Sequence, residues 1–212
     1  MSSPTSLRLV AGAAALFHTR GYAATGVAEV LRAAGAGSGS LYHFFPSKEH
    51  LLLAVLDRYR ERLREEIFDP VAERVADPID RIFGVLSFYR EFLSASGCAL
   101  GCPIGNLAGE ISDSMPAARA RLDELFADWR SGIRTFLSEA APRLPRGTDL
   151  DALAGFVLAV MEGGVMQARA ARSVQPFDDA VAHLRAYFDR LAAEAVGRRP
   201  KRKRSRRKEQ TR

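Results

Sequence analysis

Residues 34–51 read AGAGSGSLYHFFPSKEHL, and this stretch constrains the fold more than any other. Gly37, Ser38, Gly39 and Ser40 carry no long side chain, so a helix opening on them lets its backbone approach another surface and leaves N–H groups facing outward. Tyr42 and His43 follow with hydrogen-bonding capacity, and Phe44 and Phe45 demand burial. Pro46-Ser47 then ends one helix and starts the next, with Ser47 as N-cap and the charge of Lys48 beside it. A short helix with small and hydrogen-bonding residues at its tip and an aromatic root suits a DNA major groove. The stretch therefore predicts the recognition helix of a helix-turn-helix, over about 38–44. A helix over about 26–33, capped by Thr25 with Glu29 in its first turn, and the turn Ala34-Gly35-Ala36 complete the unit.

The remaining chain reads as helices separated by Gly and Pro, with no strand pattern. The first spans about 5–19, where Leu7, Val10, Ala14 and Phe17 fall at helical spacing and argue against a signal peptide over 9–17. The helix capped by Ser47 runs to Asp69-Pro70, and the next begins at Asp77-Pro78. An irregular, cysteine-bearing stretch over 97–105 leads into a short helix over about 106–111, followed by one that Pro116 opens and Pro142 ends. The helix over about 149–172 is apolar on nearly every side, which means burial in a core or against a partner chain. From Pro176, Phe177, Val181, Leu184, Phe188, Leu191 and Ala195 alternate four and three apart, a seam that packs helix on helix. This gives an all-α fold of about nine helices. The longest uninterrupted apolar run, 152–161, is ten residues, too short for a bilayer, and the expected location is cytoplasmic.

The net charge of +6 is concentrated at one end: residues 198–212 hold ten Lys/Arg and one Glu. The rest of the chain is slightly acidic, and the end reads as a disordered basic tail. It is either a solvated charge run or a nonspecific DNA anchor. The anchor is favoured because residues 1–50 hold only Arg8, Arg20, Arg32 and Lys48 as cations. Cys98 and Cys102 make no disulfide framework, and their apolar neighbours favour buried or pocket-lining thiols over redox sensors. His18, His50 and His183 lack metal-ligand spacing and read as surface or helix-end residues; no metal or cofactor is expected. Glu110 and Asp113 flank a possible pocket without a partner acid, base or metal. With no triad-like set or phosphate loop either, an enzyme is not expected.

Thr25-Gly26-Val27, Ala33-Ala34-Gly35 and the run from Gly39 to Glu49, in that order and spacing, closely resemble the DNA-binding domain of TetR-family repressors. Phe17 and Gly21-Tyr22 match the end of that family's first helix. Residues 101–108, GCPIGNLA, with Glu110 resemble the ligand domain of the branch containing the lincomycin-resistance and flavonoid-responsive repressors. Gly37 and Ser38 stand where many members carry a cap and then a Lys, which removes one phosphate or base contact.

The resemblance implies a three-helix DNA-binding domain over 1–46, a helical ligand-binding and dimerisation domain over 47–197, and the tail over 198–212. Thr25, Tyr42 and Lys48 would contact phosphates of double-stranded DNA, while Ser38, Gly39, Ser40 and His43 would face bases. The last two helices would pair with a second subunit through Val157, Val181, Leu184, Phe188 and Leu191. The three helices from 78 to 141, with part of the next, would enclose a small-molecule cavity. Phe88, Phe92, Cys102, Phe126, Trp129 and Met161, with Phe156, are candidates for its wall, ordinary core packing being the alternative for each. Asn106 is the stronger candidate, since a polar group on an apolar helix needs a partner; Glu162 and Gln167 carry a weaker form of the same argument. The implied function is a homodimeric repressor released from a palindromic operator by an apolar or aromatic effector. Its rival is an architectural, nonspecific DNA binder acting through the tail.

Overall fold

The computed structural model describes residues 3–197, so the basic tail over 198–212 lies outside the described residues. Helices begin where the sequence supplies a cap. α1 (Pro4–Arg20) starts with Ser3 Oγ accepting the Ser6 N–H at 3.2 Å, and ends at Gly21, whose φ of 88° suits a residue without Cβ. Its buried stripe is Leu9, Ala13 and Phe17; Leu7, expected on that stripe, is exposed.

α2 (Val27–Ala33) is capped by Gly26 rather than Thr25, and Glu29 folds back to accept the Gly26 N–H at 2.9 Å. Thr25 is 1% exposed, and its hydroxyl donates to Gly21 O at 2.7 Å. α3 (Ser40–Phe44) begins two residues later than expected, because Ser38-Gly39 stay in the turn. Glycine's backbone entropy disfavours starting the helix there. Arg8 Nε donates to Ala34 O at 3.0 Å and ties α1 to that turn.

α4 (Lys48–Arg62) is capped by Ser47, whose Oγ accepts the His50 N–H at 3.3 Å. The expected stop at Asp69-Pro70 does not occur. The rod passes through a π-helical turn (Leu63–Phe68) into α5 (Asp69–Arg74). In that turn the Asp69 N–H reaches back five residues to Arg64 O, and the wider spacing accommodates Pro70, which has no N–H to donate, in the first turn of α5. Counted as one rod, α4 to α5 reconciles the ten α-helices among the described residues with the nine expected.

Asp77 Oδ1 caps α6 (Pro78–Ala95) by accepting from Ile79 and Asp80. α7 (Pro103–Ile111) starts three residues earlier than expected, with Pro103 in its first turn behind Cys102. α8 (Pro116–Ala140), a 3-10 turn (Ala141–Arg143), α9 (Leu150–Ala171) and α10 (Gln175–Gly197) complete the chain. Trp129 of α8 donates to the Tyr89 hydroxyl of α6 at 3.1 Å, and Phe68 packs edge-on to Trp129 with centroids 6.0 Å apart. On the surface, Arg60 binds Glu124 at 3.0 Å and Asp128 at 2.5 Å, fastening α4 to α8.

α9 is long and apolar enough to cross a membrane by length and composition; it packs against α8 and α10, with 39% of that apolar window buried. The four-three seam lies largely inside the chain: Phe177, Leu184 and Phe188 are buried, and so is Val157. Phe188 meets Phe83 of α6 edge-on at 5.8 Å. These residues therefore join α10 to α9 and α6 rather than presenting themselves to a second subunit, while Val181 and Leu191 are half-buried. The large apolar side chains that α9 and α10 leave open are Phe156, Met166, Tyr187 and, near the end of α10, Val196; Phe156 and Tyr187 touch edge-on at 5.6 Å.

Candidate nucleic-acid interface and ligand cavity

The turn before α3 and the outer face of α3 present Ser38, Gly39, Tyr42 and His43 to solvent, with Tyr42 62% exposed. Gly39, Tyr42 and His43 stand three and four apart and so share one face, and Leu41 on the opposite face is fully buried. Ser40 is half-buried. Large exposed tyrosines need a reason in a helix this short, and contact with a polymer supplies one. Two of the expected DNA contacts are placed differently. Thr25 turns its hydroxyl inward. Lys48 Nζ donates to Tyr22 O at 2.5 Å and lies 4.1 Å from the Tyr22 ring centroid, and this partial burial lowers its pKa. Its charge stands at the root of the reading surface rather than on it.

Behind the head formed by α1, α2 and α3 is a cavity of about 220 Å³. Its walls come from His18 of α1, Tyr59 and Arg62 of α4, Leu63, Glu66 and Ile67 of the π-helical turn, Phe88, Tyr89, Phe92 and Leu93 of α6, the Cys102–Ile104 start of α7, and Val165 of α9. Of the expected wall, Phe88, Phe92 and Cys102 are in place. Trp129 and Met161 are buried in the core and Phe126 packs half-buried against it; α8 spends its apolar face on Tyr89, Phe68 and their neighbours and adds nothing to the cavity. Asn106 is also outside the wall: its Oδ1 accepts from Arg169 at 2.9 Å, and its buried Nδ2 has no partner.

Sequence reasoning missed most of the wall, including the polar His18, Tyr59, Arg62 and Glu66 and the apolar Leu63, Ile67, Leu93, Ile104 and Val165. His18 stacks on Phe92 with centroids 5.6 Å apart and planes 12° apart. Its Nε2 lies 2.7 Å from Gly101 O, so a neutral ring carries its proton on Nε2, and burial lowers its pKa. Arg62 and Glu66 form a two-armed ion pair at 2.5 and 2.6 Å beside the cavity. A larger open groove of about 730 Å³ lies between α4, α6 and α8, but Arg60–Asp128, Arg64–Asp69 and Arg81–Glu139 pair most of its charged wall. The smaller, aromatic-walled cavity is the better ligand site.

Deeper in, Glu162 of α9 rests against Gly105 of α7, where a Cβ would collide with the carboxylate as it stands, and its Oε1 is buried without a partner. Burial raises the Glu162 carboxyl, and burial with the neighbouring carboxylate raises the Cys102 thiol. Both Cys98 and Cys102 are buried and unpaired, a setting for inert thiols. Among the described residues no group of three or more His, Cys, Asp or Glu side chains could hold a metal ion.

Two family profiles match this arrangement. Residues 9–55 match bacterial regulatory proteins of the tetR family, and residues 78–184 match the tetracyclin repressor-like C-terminal domain. The HTH-type transcriptional regulator LmrA of Bacillus subtilis is 28% identical over 173 residues, covering 80% of this chain and 88% of the relative. An HTH-type transcriptional regulator of Mycobacterium tuberculosis is 30% identical over 184 residues, covering 81% and 87%. The crystal structure of a TetR transcriptional regulator from Chloroflexus aurantiacus is 32% identical and superposes with a TM-score of 0.73, covering 91% of this chain and 94% of that one. The helix-turn-helix, the helical body and these matches agree: the chain belongs to the TetR family of DNA-binding transcriptional regulators and is not an enzyme.

Proposed function

We propose that the protein acts in the cytoplasm as a homodimeric repressor, releasing a palindromic operator when a small, largely apolar or aromatic effector fills the cavity behind the head. The observation that carries this reading is that the cavity wall is built partly from the head itself. His18 belongs to α1, and Arg62, Leu63 and Glu66 belong to the rod that starts at Lys48 beneath the recognition helix. A ligand that fits only when this wall moves stabilises a different head orientation, and occupancy shifts the population toward it. Two heads reading half-sites about 34–36 Å apart tolerate little rotation. The exposed Phe156, Met166 and Tyr187 supply the apolar face for the second subunit. The names of relatives such as the transcriptional repressor DhaR of a Mycobacterium support repression as the sense of regulation.

The test is selection of duplex DNA from a random pool by the purified protein. An inverted repeat is the expected product. Tyr42→Ala is expected to weaken the selected duplex about tenfold, about 1.4 kcal/mol. If no repeat emerges, or if deleting 198–212 abolishes all DNA binding, nonspecific binding through the basic tail replaces this reading.

A further inference from the structure

Residues 101–110, GCPIGNLAGE, touch the head at both ends and the effector cavity at one. At the cavity end, Gly101 O accepts from His18 of α1 at 2.7 Å, and the next three residues form part of the cavity wall. In the middle, Gly105 lets α7 close on Glu162, and Asn106 accepts from Arg169 at 2.9 Å, so side chains of α9 hold a helix whose backbone packs on α8 and α1. At the far end, the Glu110 carboxylate accepts the backbone N–H of Tyr22 at 2.9 Å and of Ala23 at 2.7 Å. Those two amides belong to the turn that joins α1 to α2. Gly21 adopts positive φ there, and a Cβ on it would stand 2.9 Å from Glu110 Oε2. The same turn offers Tyr22 O to Lys48 at the start of α4. Two charge-assisted bonds accepted by one carboxylate from neighbouring amides fix both distance and direction. A nine-residue helix is about 13 Å long and moves as a unit.

We infer that α7 is a strut and Glu110 a positioning residue that carries the state of the cavity to the turn beneath α2 and α3. This rests on the reading of the cavity as the effector site. A ligand pressing on Ile104 displaces α7 along α1, and the Tyr22–Ala23 turn follows Glu110. The same geometry accounts for residues of this segment that line no cavity.

A cavity-filling substitution, Ile104→Trp, stands in for a ligand, with Val165→Phe as the second filler should the first fail to melt cooperatively. Amide hydrogen exchange at Tyr22 and Ala23 and affinity for the selected duplex are measured in wild type, Glu110→Ala, the filled variant and the combination. Glu110→Ala is expected to speed exchange at both amides at least tenfold. Filling is expected to change exchange at both amides and to weaken the duplex at least tenfold in the wild-type background, but less than threefold when added to Glu110→Ala. Unchanged exchange in Glu110→Ala, equal losses on filling in both backgrounds, or filling that leaves both amides unchanged overturns the strut. Filling that alters the amides yet leaves duplex affinity intact supports the strut and overturns release by cavity occupancy.

Discussion

Glu162 places a carboxyl where the fold does not fully satisfy it. Its carboxyl lies in the interior against Gly105 and Cys102, one oxygen has no partner, and burial raises its pKa above the ordinary 4.5. An acid whose folded pKa is raised binds its proton more tightly in the native state. Its contribution is therefore present below pH 4.5, the unfolded value, and is lost as pH rises through the folded value. Glu162→Gln keeps the shape and removes the charge. Melting temperatures taken from pH 4 to pH 8 are expected to coincide at the acid end and to separate above it, with the Gln variant the more stable. Parallel curves would mean that the carboxylate is ionised and satisfied in the folded protein. Cys98 and Cys102 belong to the same interior. Both are expected to resist alkylation by a bulky maleimide in buffer and to react fully in denaturant, as counted by mass spectrometry.

At the scale of the element, the rod from Lys48 to Arg74 carries most of the argument, because one end roots the recognition helix and the middle walls the cavity. Its start rests on the Ser47 cap, and Ser47→Ala is expected to cost about 1 kcal/mol in urea unfolding. Its middle rests on Phe68, which is buried against Trp129 and Phe136; Phe68→Ala is expected to cost about 3–5 kcal/mol by the same measurement. The contrast between the two ends of this rod explains what the sequence could disclose. Caps and prolines act on their own neighbours, so Ser47, Asp77 and Pro116 announced their helices correctly. Pro70 did not stop the rod, because a π turn absorbing it is held by tertiary packing of Phe68 and Leu63, which no local pattern encodes. The cavity was half legible for the same reason. Phe88 and Phe92 lie on one helix stripe, but His18 and Glu66 reach the same space from segments 48 residues apart in the chain.

For the whole molecule, the question is which surface joins two copies. Four-three spacing along 177–195 says that α10 packs on a helix but not whether that helix belongs to the same chain, and the structure spends Leu184 and Phe188 inside the subunit. What remains for a partner is the open face around Phe156 and Tyr187, a groove that also includes Val160, Gly163 and His183. Apolar side chains of this size left in water on two adjacent helices are the mark of an association surface. A pair of substitutions separates the two surfaces. Phe156→Glu places a charge in the open groove and is expected to give a folded monomer by sedimentation, with its melting point nearly unchanged at low concentration. Because a single head then meets a single half-site, duplex affinity is expected to fall by at least a hundredfold, since the second half-site no longer contributes as an intramolecular contact. Phe188→Ala opens a cavity within the subunit, against Phe83, and is expected to lose about 3–5 kcal/mol of stability while sedimenting as wild type does wherever it remains folded. The reverse outcome, with Phe188→Ala dissociating the protein and Phe156→Glu leaving it paired, would return the interface to the seam and leave the exposed aromatic pair for a different partner.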